Sequence, residues 1–110
     1  MERKKIETYL GFCIRARKIV YGAENAQAQR KGVYLLLCDE KLGASSLKLM
    51  QKAWETLRCP MLMVEENLLS ELIHRPGVKA VAIKEKNLAS AITSIAVGKP
   101  QFKLYSGGNN

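Results

Sequence analysis

The residues whose types and spacing could do chemistry crowd into one stretch, residues 15–31. Arg15, Arg17 and Lys18 precede an apolar connector of Ile19, Val20 and Tyr21. Gly22 breaks it, and Ala23, Glu24 and Asn25 open a new element that runs through Ala28 to Arg30 and Lys31. A helix start leaves backbone N–H groups unpaired and carries the positive end of the helix dipole, so a tip flanked by cations suits an anion. Glu24 and Asn25 add a carboxylate and an amide to the same turn. The first accepts from guanine N–H groups, and the second offers donor and acceptor together to a base edge. Cations for phosphates beside polar groups for bases point to RNA. Two plainer readings stand beside this one: Glu24 and Asn25 also suit a helix start as caps, and lysines and arginines are the usual solvated face of a protein. Tyr21 is assigned to packing rather than to base stacking.

The distribution of charge sharpens the RNA reading. The chain carries 18 Lys and Arg against 10 Asp and Glu, a formal charge of +8 in 110 residues. Residues 1–32 hold eight cations and three anions, a net of +5, so most of the excess sits on the N-terminal segment that contains this stretch. Such a surface steers polyanions and releases counterions on binding them.

Other chemistries have less to stand on. Cys13, Cys38 and Cys59 are far apart, with no Cys or His pair at metal-ligand spacing, and read as buried thiols of a reducing cytoplasm. His74 is the only histidine and has no Ser or Cys nucleophile beside it in sequence. Asp39 and Glu40 are adjacent acids that point different ways, a poor catalytic pair, and no phosphate-loop or dinucleotide glycine signature occurs. The sequence is therefore read as non-enzymatic, with no cofactor, no metal and no small-molecule substrate. No run approaches the ~20 apolar residues of a membrane span, and the first residues are charged. A cytoplasmic monomer with no membrane partner is expected.

The elements that must position the stretch follow from hydrophobic periodicity. Ile6, Tyr9, Leu10, Cys13 and Ile14 recur at three and four, which predicts a helix over residues 4–17. A second helix is expected over 24–31, with Gly32 as its stop. Residues 33–38, Val-Tyr-Leu-Leu-Leu-Cys, form a continuous apolar run, the pattern of a strand covered on both faces. A third helix, capped by Ser45 or Ser46, should run to Leu57 with Leu47, Met50, Ala53, Trp54 and Leu57 inward. Then come a strand at 61–64, a helix at 67–73, a turn at His74-Arg-Pro-Gly77, a strand at 78–83 and a final helix over 85–96. Helices alternating with short apolar strands predict an α/β fold, a three-layer α/β/α sandwich with a small mixed central sheet. Residues 1–97 make one domain, and residues 98–110 are expected to be a mobile tail.

The order of elements and several strings resemble the kink-turn-binding ribosomal-protein superfamily of the L-seven-Ae type, including its small stand-alone bacterial members. The matching stretches are Gly11-Phe-Cys-Ile-Arg-Ala-Arg-Lys-Ile-Val-Tyr-Gly22, Gly32 before Leu35-Leu-Leu-Cys-Asp-Glu40, Cys59-Pro60 before a strand, and Val81-Ala-Ile-Lys-Glu-Lys-Asn-Leu-Ala-Ser-Ala-Ile92. In that family Gly-x-Asn-Glu-x-x-Lys opens the second helix and binds the sheared G·A pairs of a kink-turn. Here Gly22 matches the glycine, Glu24 and Asn25 stand in exchanged order, Ala28 replaces the lysine, and Lys18 matches a basic position. The family's second RNA-facing loop follows the strand matched by residues 61–64 and here begins Glu65-Glu66, so the resemblance adds Val64 and Glu65 as RNA-facing residues. The resemblance implies structured RNA as the partner, a kink-turn or ribosomal RNA, with the ribosome, its assembly or a regulatory RNA as the setting. A protein-interaction module of the same fold that has lost kink-turn recognition is the rival reading.

Overall fold

Ile6, Leu10 and Cys13 all turn one way, and the segment carrying them, Glu2–Arg15, is helix α1 of the computed structural model, which describes residues 2–107. The helix ends two residues earlier than its periodicity predicts. Lys18 N–H donates to the Cys13 carbonyl at 2.8 Å and Arg17 N–H to the Ile14 carbonyl at 3.1 Å. That pair of bonds is a Schellman closure. It holds Arg17 at φ 59°, a left-handed conformation that costs a side-chain-bearing residue about 1 kcal/mol.

The connector then pairs as a strand. The elements that follow α1 are β1 (Ile19–Tyr21), α2 (Ala23–Gln27), β2 (Leu35–Asp39), α3 (Ala44–Leu57), β3 (Met61–Val64), α4 (Leu68–Leu72), β4 (Ala80–Ile83), α5 (Lys86–Ala96) and β5 (Phe102–Leu104). The strands form one mixed sheet in the order β1-β4-β2-β3-β5, with β2 and β3 parallel and every other neighbouring pair antiparallel.

Side chains alternate across each strand, and here both faces are apolar, so helices cover both. Leu35, Leu37, Leu62, Val64, Val81 and Ile83 meet α1, α4 and α5 through Leu10, Leu69 and Ile92. Leu36, Cys38, Met61, Ala80 and Ala82 meet α2 and α3 through Ala23, Ala26, Met50 and Ala53. The result is an α/β/α sandwich. The alanines of β4 and α2 let this second layer approach closely, which is how a helix of only five residues is held.

Three expectations change. Helix α2 spans Ala23–Gln27 rather than 24–31, and the chain from Ala28 to Gly32 is not helical. Helix α3 starts from Gly43, which makes no side-chain cap bond, and not from a serine cap. The expected tail is in large part structure: β5 pairs with β3, Phe102 is buried, and Tyr105 stands edge-on to Trp54 with ring centroids 4.8 Å apart. Residues 108–110 of that expected tail lie outside the described residues. The three cysteines are free and buried, as read. Burial pushes the Cys13 and Cys59 thiols up to about 11 and that of Cys38 to about 12, with the nearby charges of Glu85 and Asp39 adding to the first and last.

Candidate nucleic-acid interface

The cationic stretch folds onto two opposite edges of the sheet, the rows where its strands begin and end, instead of one surface. Strand β1 runs between them, with Lys18 at one end and Gly22 at the other, and α2 returns the chain so that Arg30 and Lys31 rejoin Lys18.

At the Lys18 edge, three strand ends lie side by side. Lys84 N–H donates to the Lys18 carbonyl at 2.7 Å, and Tyr34 N–H to the Ile83 carbonyl at 2.9 Å. The Lys84 ammonium donates to Gln29 Oε1 at 2.9 Å, tying the loop after α2 to the end of β4. Between them opens a groove of about 740 Å³ lined by Lys18, Arg30, Lys31 and Lys84, together with Gln29 and Tyr34, and by no carboxylate. Among the described residues none of these four cations has an ion-pair partner, so their fields add. Ala28 also lines this groove. Arg17 is exposed just before Lys18, whereas Arg15 lies over the Phe12 ring of its own helix, 5.0 Å from the centroid.

At the Gly22 edge, Gly22 takes φ 93° and ψ 146°; its N–H donates to the Ala80 carbonyl at 2.8 Å and its carbonyl accepts from Ala26 at 3.0 Å. A Cβ there would meet nothing nearer than Asn25 Nδ2 at 3.9 Å, so backbone conformation rather than space calls for glycine. Glu24 and Asn25 are both exposed, as the RNA reading needs. Asn25 Nδ2 donates to the Tyr21 carbonyl at 2.9 Å, which uses one of its two amide hydrogens. Tyr21 packs, with Arg75 stacked 4.1 Å from its ring centroid and its buried hydroxyl without a hydrogen-bond partner. Beside the turn lies a cavity of about 430 Å³ between Gly22, Gly43, Ser46, Gly77 and Lys79.

Further along this edge the sign of the charge changes. Asp39 is buried, and its two carboxylate oxygens accept from Lys41 N–H at 2.7 Å and Asn67 N–H at 2.9 Å, joining the loops after β2 and β3. Glu40, Glu65 and Glu66 stand exposed on those loops. With β4 and β2 between β1 and β3, Glu65 sits three strand spacings, roughly 14 Å, from the Gly22 turn.

Two predicted site residues are ruled out as side-chain contacts: Val64 is fully buried in the core and Ala23 is buried against the second layer. The dipole argument also weakens, because a helix of five residues is under two turns long. Lys84, Gln29 and Tyr34 escaped sequence reasoning. Lys84 could have been suspected as the cation closing a predicted strand, but its neighbour Lys18 is 66 positions away and only antiparallel pairing unites them.

Among the described residues no group of three or more His, Cys, Asp or Glu is placed to hold a metal, and no helix is long and apolar enough to cross a membrane. His74 pairs with Glu7 in a surface contact. No protein-family model matches this sequence, and no curated protein matches it. A solved structure described as a protein with unknown function from Bacillus halodurans C is similar to it, with a TM-score of 0.69 at 19% sequence identity. The match covers 83% of this chain and 95% of that one. At that identity the likeness shows the fold: a small mixed sheet between two helical layers.

Proposed function

We propose that this protein binds structured RNA without turnover, holding backbone phosphates in the groove of Lys18, Arg30, Lys31 and Lys84 and meeting bases at the Gly22 turn. The groove carries the reading: four cations from three separate chain segments converge there with no carboxylate among them. Structural salt links would bring acids with the bases; a surface meant for phosphates leaves the acids out. Helix α2, about 7.5 Å long, separates the groove from the Gly22 turn, a span that one folded RNA can bridge.

The sequence resemblance supports a kink-turn as the RNA, in ribosomal RNA or a regulatory element. Exchange of Glu24 and Asn25 swings each group about 100° around the helix, so the base contacts differ in detail from the family pattern. Filter binding of a kink-turn RNA and a control with its G·A pairs disrupted, across a salt series, tests both levels. Four phosphate contacts should cost about 100-fold in affinity between 50 and 200 mM salt. Equal binding of the two RNAs would remove the kink-turn; salt-insensitive or absent binding would remove RNA.

The rival, a protein-interaction module, is favoured by one observation: Glu40, Glu65 and Glu66 line the Gly22 edge, where they would repel phosphates. It makes the opposite prediction in the same salt series.

A further inference from the structure

We infer that the cleft between Tyr34 and α5 receives an unpaired base of the RNA whose phosphates lie in the adjoining cationic groove; this rests on the RNA reading. Backbone bonds place Lys18, Lys84, Tyr34 and Pro60 in that order along one sheet edge: Lys84 N–H to Lys18, Tyr34 N–H to Ile83, and Leu36 N–H to the Pro60 carbonyl at 2.9 Å. Tyr34 is a wall of two neighbouring spaces. On one side is the groove of four cations; on the other is a cleft of about 570 Å³ whose apolar lining is Pro60, Ala89 and Val97, with Thr93 and Lys86 beside them.

Tyr34 and Val97 are 42% and 53% exposed, so the cleft is an apolar surface left open to water. Its volume falls in the range of small-ligand sites. Ser90 and Ser94 line the same cleft, and a serine hydroxyl both donates and accepts, as a base edge requires. A nucleotide is a flat apolar face joined to an anion, and this edge carries Tyr34 beside the end of the strand that leads into Lys84, with neighbouring backbones about 4.8 Å apart. Charge complementarity selects this occupant over a second copy, because two chains of formal charge +8 meeting here would set one cationic groove against the other. An apolar peptide would leave the four cations without a role.

The test uses the full chain and two probes of equal length, a six-nucleotide oligoadenylate and its abasic sugar-phosphate counterpart, with kink-turn RNA as reference. Wild type should bind the oligoadenylate about tenfold more tightly than the abasic strand. Tyr34→Ala should erase that difference and Tyr34→Phe keep it, while Lys84→Ala should weaken both probes equally. Tyr34 is exposed, and unchanged melting of the variants establishes that they fold. Equal binding of both probes by wild type, or an unaltered preference in Tyr34→Ala, overturns the base site while kink-turn binding still stands. Failure of all three RNAs overturns the RNA reading with it, and a dimer by sedimentation that Tyr34→Ala dissolves assigns the cleft to a second copy and overturns the inference.

Discussion

The two edges of the central sheet are built by the same five strands and differ in what their loops present. At the Lys18 edge Lys18, Arg30, Lys31 and Lys84 surround a groove free of carboxylates, with Tyr34 beside it. At the Gly22 edge a glycine turn exposes Glu24 and Asn25, and the row continues into Glu40, Glu65 and Glu66. On the proposed RNA reading, the difference separates two tasks that sequence proximity had merged. Holding a polyanion needs unopposed charge, whereas reading a base needs a few outward polar groups. On that reading the chain puts them at opposite ends of a three-residue strand.

The largest effect that would break this division comes from removing the grip. Replacing Lys18, Arg30, Lys31 and Lys84 together by Ala should lower RNA affinity about 100-fold or more at 0.1 M salt and flatten the salt slope by roughly four. If affinity holds, the Gly22 edge binds alone. Next comes the scaffold of the other edge: Asp39→Ala strips a buried carboxylate from two backbone donors and should cost about 3 kcal/mol in urea unfolding. Gln at Glu40, Glu65 and Glu66 should raise RNA affinity a few-fold by removing repulsion; a decrease would mark those acids as contacts.

Arg17 probes the boundary between stability and charge. Arg17→Gly suits the left-handed φ of 59° and should add up to about 1 kcal/mol of stability, while lowering the salt slope by at most about one. Smallest is an alkaline effect shared by both layers. Burial raises the folded thiol values to about 11 and 12, above the ordinary 9.0, so folding favours the neutral form. The thiol contribution is intact below about pH 9 and is lost as pH rises toward the folded values. Thermal melts should therefore be flat near neutrality and decline above that point, and the native thiols should resist a disulfide reagent at neutral pH.

The layered fold was legible because its long helices are strongly periodic and its inner strands are continuous apolar runs: α3, β3 and α5 lie within a residue or two of their predicted bounds. The two outermost strands were not. Strands β1 and β5 have three residues each, too few to show a period, and they form only by pairing with β4 and β3. For the same reason the expected tail became β5, and Tyr34, read into an apolar strand, stands exposed just outside β2. Of the candidate site, the cations and the Gly22 turn were visible. That they face opposite ways, and that Lys84 joins the first group, depends on antiparallel register across residues far apart in sequence.

The most direct test of the account is an amide chemical-shift titration of the labelled protein with kink-turn RNA at 0.1 M salt. RNA seated in the groove and at the glycine turn should shift Lys18, Arg30, Lys31, Tyr34 and Lys84, with a second set at Gly22, Glu24 and Asn25. Shifts confined to Glu40, Glu65 and Glu66, or no shifts at saturating RNA, would show that RNA does not dock there.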